Sequence, residues 1–195
     1  MILQTRVKNI LLQPASEWTA IAAEPMDVMG LYRNYILILA AIPSVCLFVS
    51  LGVFGAPYIG RLGMGGALGG AITAYVRTLV SVLIAAVIVE KLAPTFGSRG
   101  DTAQALKLVA YACTPVWLAG VFYLIWFLWA PAGLIAAIYA IYLFYLGVGP
   151  VMKTPADKVI PYMLVSALAI VVVWVILGLL MAAMGFISGG YGGMF

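Results

Sequence analysis

Arg77 is the one charge in the middle third of an apolar stretch, where its guanidinium could bind an anionic solute or a lipid headgroup. A central arginine costs about 2.5–3.5 kcal/mol if the stretch crosses a membrane, so its surroundings should compensate for it. On a helix its own face carries small and polar residues, namely Gly66, Gly70, Thr73, Arg77 and Ser81. The other face carries Leu68, Ile72, Leu79 and Leu83. We therefore expect Arg77 to point into the protein, with Thr73 and Ser81 beside it as candidate binding residues.

No other apolar stretch contains a carboxylate that could pair with Arg77, and Glu90 lies about 20 Å along the same helix. The expected partners are the carbonyls of Leu39 and Tyr111, which intramembrane prolines four residues later leave without an N–H donor. The alternative is a structural role, in which Arg77 snorkels or caps these carbonyls and fixes helix packing.

A second set of candidate binding residues lies near the loops: Glu90, Lys153, Asp157 and Lys158. Asp157 can complement the N-terminus of the helix that follows it. The alternative is that these charges are ordinary anchors at a membrane border. No two carboxylates share a motif that would place them for acid–base work or for metal binding. We therefore predict no catalytic residue and a protein that is not an enzyme.

The residue types exclude several other kinds of site. The chain has no histidine and 2 cysteines, Cys46 and Cys113, which excludes a catalytic triad, a histidine zinc site and an iron–sulfur cluster. The glycine-rich run at 63–70 lacks the GxxxxGK[ST] spacing of a phosphate-binding loop. The basic residues are spread too thinly to form a nucleic-acid patch. We expect no cofactor, no metal and no nucleic-acid partner.

Composition places these residues in an integral membrane protein. Apolar residues make up 66% of the chain and charged residues 8%, against about 45–50% and 25% in soluble domains. Five apolar stretches can each cross a core of about 30 Å as a helix: 34–54, 67–89, 105–128, 131–151 and 159–186. We predict an all-α domain of five transmembrane helices at 34–186, with prolines breaking the first and third spans. The third and fourth spans, joined by residues 129–131, form a hairpin, and residues 187–195 form a flexible tail.

Residues 1–33 form a separate, more charged segment. A first helix would place its apolar residues on one face: Leu3, Val7, Ile10 and Leu11. Arg6 would lie away from that face, and a second short helix fits between Pro14 and Pro25, with Trp18 on its apolar side. Basic amphipathic helices with a tryptophan lie in the plane of the membrane interface. The alternative is that these helices pack onto cytoplasmic loops.

Lysine and arginine residues predict the orientation. The N-terminal segment and the loops after the second and fourth spans hold eight of them, whereas the opposite side holds Arg61 alone. This bias predicts a cytoplasmic N-terminus and an extracytoplasmic C-terminus.

Small residues recur at four-residue spacing in Gly66 and Gly70, in Ala132, Ala136 and Ala140, and in Gly178 and Ala182. Such faces let helices approach closely. We expect them to pack the protein's own bundle, and a homo-oligomer is the alternative.

Three elements of the sequence are distinctive. Residues 93–97, APTFG, are similar to an AP-x-FGG element, with Ser98 at its second glycine. Residues 111–115, YACTP, are similar to a Y-[AS]-x-[TS]-P element. The third element comprises YLFYLG at 142–147, MKTP at 152–155 and DK at 157–158, and it is similar to YLLYLG…MKTP…DK. On these elements nearly the whole chain resembles the bacterial branch of the Yip domain (Ypt-interacting protein) family.

The resemblance implies five transmembrane helices with a cytoplasmic N-terminus, in a bacterial inner (plasma) membrane. Eukaryotic relatives lie in Golgi and vesicle membranes and bind Rab-type GTPases. This chain departs from their pattern, because its first span starts near residue 34 without their long acidic N-terminal region, and the resemblance leaves GTPase binding open. We predict a membrane-organising or scaffold protein that binds membrane lipids or a protein partner at its cytoplasmic face. The alternative is a small transporter or channel for an anion or a lipid, lined by the Arg77 face of the second span.

Overall fold

The computed structural model describes residues 3–25, 27–55 and 60–183, which are helical apart from short turns. Two short helices come first, α1 (Leu3–Leu12) and α2 (Pro14–Ala23). Six more follow: α3 (Val28–Phe54), α4 (Met64–Leu92), α5 (Thr102–Ala112), α6 (Thr114–Ala119), α7 (Trp129–Met152) and α8 (Val159–Ala183). The predicted tail at 187–195 lies outside the described residues.

Within the described residues, five helical stretches are long and apolar enough to cross a membrane, which confirms the predicted all-α, five-span fold. They are Val28–Phe54, Met64–Phe96, Thr102–Leu124, Trp129–Met152 and Ala156–Val173. The link between the third and fourth spans is residues 125–128, because Trp129 already begins α7. Residues 129–131, predicted to be that link, instead form the first turn of α7.

The third span is the central helix of the bundle. In its most apolar window 67% of the residues are buried, against 17–28% in the other four spans. The flanking helices expose large apolar side chains on the outside of the bundle, such as Leu134 and Ile138 in α7 and Leu168 in α8. Lipid tails are as apolar as these side chains, so a bundle surrounded by lipid has this pattern.

The two intramembrane prolines affect their helices differently. α3 continues through Pro43, so the predicted break in the first span is wrong, whereas the third span does break, at Cys113 between α5 and α6. A Cβ added to Gly120 would lie 2.5 Å from the Cβ of Pro43, so the glycine lets the third span lie directly against the proline. Close packing by a neighbouring helix is one way in which a membrane helix tolerates proline.

The N-terminal helices pack against the bundle. α2 begins at Pro14 and ends before Pro25, as predicted. The side chains of Ile10, Trp18 and Ile21 are fully buried, and α2 packs mainly on α7. Their apolar faces therefore contact protein.

The two ends of the bundle differ in composition. One end, termed the charged end, is formed by α1, α2, the turn at 93–101 and the turn at 153–158. The opposite end exposes an aromatic group near residues 122–129: Phe122, Tyr123, Trp126, Phe127 and Trp129. Aromatic side chains of this kind are typical of a membrane–water interface.

Candidate functional site

A cavity of about 590 Å³ lies between the helices, lined by α4, α5, α6, α7 and α8 and by Pro43 of α3. Its walls are largely apolar, and among the described residues that line it Arg77 is the one charged side chain. Thr78, Ser81 and Cys113 add smaller polar groups. A volume of this size lies within the range of about 300–1,000 Å³ that is typical of ligand sites.

Small residues on several helices leave this volume open. They are Ala85, Ala112, Ala119, Gly133, Ala137, Ala140 and Ala167. Facing alanines and glycines cannot fill the space between helices that larger neighbours hold apart. The predicted small-residue series of the fourth span divides between two roles, because Ala140 lines the cavity and Ala136 is buried in helix packing.

The hydroxyl groups beside Arg77 donate hydrogen bonds to backbone carbonyls of their own helix. Ser81 Oγ donates to the Arg77 carbonyl at 2.7 Å, and Thr78 Oγ1 donates to the Ala74 carbonyl at 2.9 Å. Each hydroxyl then offers a ligand only its oxygen lone pairs. The Arg77 guanidinium is permanently positive, so it is the group on this wall that is suited to an anion.

Two of the three residues predicted on the second span lie in the cavity wall. Arg77 and Ser81 line it, whereas Thr73 lies one turn away, outside the lining. Arg77 is exposed at the open side of this cavity, so its side chain is not enclosed within the protein as expected. Thr78 takes part instead, and the sequence prediction missed it. A signal was present, because the buried residues of α4 continue from Thr78 at helical spacing: Val82, Ala85 and Val89.

The Tyr111 carbonyl, a predicted partner of Arg77, has a partner within its own span. It accepts a hydrogen bond from the Thr114 hydroxyl at 2.7 Å. The Thr114 oxygen in turn lies 2.7 Å from the Tyr35 hydroxyl, which donates to it. The YACTP element thus satisfies polar groups locally at the helix break and links the third span to the first.

The other two distinctive elements meet at the charged end. The Arg99 backbone N–H donates to the Met152 carbonyl at 2.9 Å, and the hydroxyls of Ser98 and Thr154 lie 2.8 Å apart. Both hydroxyls are buried, so this hydrogen bond contributes about 1 kcal/mol to stability. The two turns therefore form one clamp between the second and third spans on one side and the fourth and fifth on the other.

Aromatic and glycine residues complete this clamp. Phe96 stacks on Tyr162 with ring centroids 5.2 Å apart, and the Tyr162 hydroxyl donates to the Val89 carbonyl at 2.5 Å. Gly97 ends its turn in the left-handed region at φ 69°, where a Cβ would be strained. The resemblance to the AP-x-FGG element thus has a structural reason in the turn itself.

The four candidate residues near the loops lie at the charged end, and none of them lines the cavity. Glu90 accepts a hydrogen bond from the Thr102 hydroxyl at 2.7 Å. Lys153, Asp157 and Lys158 are exposed, and Lys153 adopts a left-handed conformation at φ 52°.

An ionic cluster that the sequence prediction missed fastens α1 and α2 to the bundle. The Arg6 side chain is 5% exposed and bonds to Glu17 at 2.6 Å and to Glu24. Its guanidinium carbon lies 5.6 Å from the centre of the Tyr111 ring. Lys107 Nζ donates to two backbone carbonyls at the end of α2, each at 3.0 Å. Arg6, expected to lie away from the apolar face of the first helix, is thus buried in a cluster with its carboxylates.

Arg6 is charged in this cluster. Burial by itself would lower the pKa of its guanidinium. The hydrogen bond to Glu24 and the electrostatic effect of Tyr111, Glu24 and Glu17 outweigh that effect, so the pKa of Arg6 is raised above its ordinary value. Arg6 therefore carries its positive charge at any ordinary pH.

These features define an all-α, five-span integral membrane protein with a helical N-terminal segment packed against one end. The Yip1 domain family matches residues 8–194, and the chain belongs to that family. The chain is 27% identical over 150 residues to "Inner membrane protein YohC" of Escherichia coli strain K12, covering 74% of this chain and 77% of the relative. The protein of the same name in Escherichia coli O6:H1 matches with the same identity and coverage. No solved structure matches the chain.

Proposed function

We propose that this Yip1 domain protein organises the bacterial inner membrane without being an enzyme, and that it binds an anionic membrane lipid in the cavity beside Arg77. The inner-membrane location is supported by the five spans and by the names of the two relatives from Escherichia coli. The observation that carries the binding proposal is the cavity itself, a largely apolar space with one guanidinium in its wall.

The chemistry of the wall favours an amphiphile over a small solute. An apolar cavity that stays empty loses van der Waals contacts around its whole lining, and water gains little there because it needs two to four polar partners. An acyl chain fills such a space with atoms that match the wall. It gains little from the transfer, however, because the lipid phase that it leaves is equally apolar. Affinity must therefore depend strongly on the contact between Arg77 and a phosphate.

The test is retention of phospholipid by the Arg77→Leu variant. The protein is purified in mild detergent, and bound lipid is quantified by native mass spectrometry and by extraction. A charge-assisted hydrogen bond is worth about 1.5–3 kcal/mol, so we expect anionic lipid binding to weaken by about tenfold to a hundredfold. Arg61→Leu is the matched control, since Arg61 does not line the cavity. Equal retention by wild type and Arg77→Leu would overturn the proposal.

A cavity-filling variant tests the apolar half of the same site. Ala140→Leu would occupy part of the volume and should displace the acyl chain while the folded bundle persists. Ala130→Leu makes the same change in the first turn of the same helix, outside the lining, and should retain lipid like the wild type. Lipid retention that is unaffected by Ala140→Leu would show that the chains bind elsewhere.

Transport of an anion or a lipid is the second candidate function. It is favoured by the position of Arg77 near the middle of α4, because ionisable residues at such a depth often mark a pathway. Liposomes that contain the protein should then release a trapped anion, or exchange labelled lipid, in a manner that Arg77→Leu abolishes. Folded protein that binds lipid and produces no flux would support static binding instead.

We also infer that the charged end faces the cytoplasm, because it holds most of the lysine and arginine residues in the connections. The exposed side chains of Lys153, Asp157 and Lys158 would then be available to a protein partner there.

A further inference from the structure

A second cavity, of about 520 Å³, opens at the charged end and is separate from the Arg77 cavity. It lies between the N-terminal helices, the start of α3 and α5. Its charged lining consists of Arg6, Glu24, Asp27 and Lys107. None of these residues lines the Arg77 cavity, so the two sites can be tested independently.

The two cations of this pocket are largely occupied by the protein. Arg6 is paired with Glu17 and Glu24. Lys107 is 4% exposed, and two of its three N–H bonds go to carbonyls at the end of α2. Within the described part of the chain this leaves one ammonium N–H of Lys107 for a ligand. The pocket can therefore make a single close contact with a phosphate oxygen through Lys107.

The two carboxylates have more capacity left. The Glu24 side chain is 42% exposed and uses Oε1 for Arg6, which leaves Oε2. Asp27 uses Oδ1 to accept the backbone N–H of Gly30 at 2.8 Å, which leaves Oδ2. With Glu17 included, the carboxylates of this cluster outnumber its cations by one. A free anion is therefore disfavoured, and a ligand that brings an ammonium group is favoured.

One side of the pocket is apolar and leads toward the spans. Leu31 and Ile38 of α3 line it, and Ile38 is exposed on the outside of the bundle. An acyl chain attached to a polar group in the pocket could leave along these side chains into the lipid phase. The pocket therefore has polar residues at the end of the bundle and apolar residues along the span, which suits a lipid that stays in the membrane.

We propose that this pocket binds the headgroup of an aminophospholipid, with its primary ammonium between Glu24 and Asp27 and its phosphate at Lys107. A primary ammonium can donate three hydrogen bonds, and the two spare carboxylate oxygens accept two of them. A choline headgroup has no N–H to donate, and a glycerol headgroup has no positive charge. The pocket thus distinguishes phosphatidylethanolamine from phosphatidylcholine and phosphatidylglycerol.

The experiment compares these three lipids with the full-length protein. Purified protein is exchanged into detergent that contains equal amounts of the three, and retained lipid is measured by native mass spectrometry. One charge-assisted hydrogen bond corresponds to about a tenfold change in affinity, so we expect at least that preference for phosphatidylethanolamine over phosphatidylcholine. Equal retention of these two lipids would overturn the proposal.

Asp27→Asn is the informative variant, because asparagine keeps the helix cap and removes the charge. It should lower the preference for phosphatidylethanolamine by about tenfold, because Glu24 is then the carboxylate that still accepts from the ammonium. Asp101→Asn is the matched control, since Asp101 caps α5 through the Gln104 N–H at the same 2.8 Å and does not line the pocket. The same decrease in both variants, or in neither, would contradict the assignment.

Two further arms separate this site from the others. Arg77→Leu should keep the preference, so failure of the Arg77 proposal and failure of this one are distinguishable. Free O-phosphoethanolamine is then added as a competitor. Displacement of the bound lipid supports a soluble ligand with the same headgroup chemistry, and retention of the lipid supports the membrane lipid as the ligand.

Discussion

Gly147→Ala should separate the N-terminal helices from the bundle, because Gly147 is the point at which α7 meets them. A Cβ added there would lie 2.6 Å from Cδ1 of Leu108 and 2.7 Å from Cε2 of Trp18. Both neighbours are fully buried, so neither can move without disturbing the core. Overpacking of this kind costs about 1–3 kcal/mol. The final glycine of the YLFYLG element therefore has a packing role.

Gly149→Ala is the matched control on the same helix. A Cβ at Gly149 meets nothing within 4 Å, and alanine is favoured over glycine in a helix by about 1 kcal/mol at either position. Since that gain is common to both variants, the difference between them isolates the clash. We expect Gly147→Ala to be less stable than Gly149→Ala by about 1–3 kcal/mol.

The assay is thermal unfolding in detergent. Unfolding is measured as the decrease in the fraction of protein that stays monodisperse after heating. Limited proteolysis within residues 1–25 reports whether α1 and α2 detach. Equal stability of the two variants, or unchanged protection of the N-terminal segment in Gly147→Ala, would refute the packing argument.

Three further predictions follow from the same contacts. Arg6→Met should destabilise the protein by about 3–5 kcal/mol, because it leaves the buried Glu17 carboxylate without its cation. Adding Glu17→Gln to this variant should restore part of the lost stability, as measured by thermal unfolding. Gly97→Ala should cost about 1–2 kcal/mol, since the residue has φ 69°, whereas Gly69→Ala in α4, where a Cβ meets open space, should not destabilise in the same melt. In a background without the native cysteines, Lys153→Cys should react with an impermeant maleimide only from the cytoplasmic side, and Arg61→Cys only from the other; the reverse labelling would contradict the inferred orientation.

The number and type of spans could be predicted because they depend on local composition. A stretch of about 20 apolar residues in lipid has to satisfy its own backbone, and a helix does so without partners. The effect of Pro43 could not be predicted in the same way, since it depends on Gly120 in another span. Span boundaries near residues 125–131 shifted for a related reason, because helix ends are set by turns and packing as well as by hydropathy.

The candidate sites were predictable to different degrees. Arg77 could be found because a charge within an apolar stretch is unusual at any position. The ionic cluster around Arg6 could not be found in this way, since its carboxylates lie 11 and 18 residues away in the sequence. They approach Arg6 because α1 packs on α2 and α2 packs on α7. The volume beside Arg77 arises from small residues on different helices, and a single helix face does not show which of them meet.

The most direct test of the lipid-binding account is photo-crosslinking with a phospholipid whose acyl chain carries a photoreactive group. The labelled protein is digested and the adducts are mapped by mass spectrometry. The account predicts adducts at buried cavity-lining positions such as Val82, Ala85 and Ala112, and their loss in Arg77→Leu. Adducts confined to the outer surface, at residues such as Leu134, Ile138 and Leu168, would contradict it.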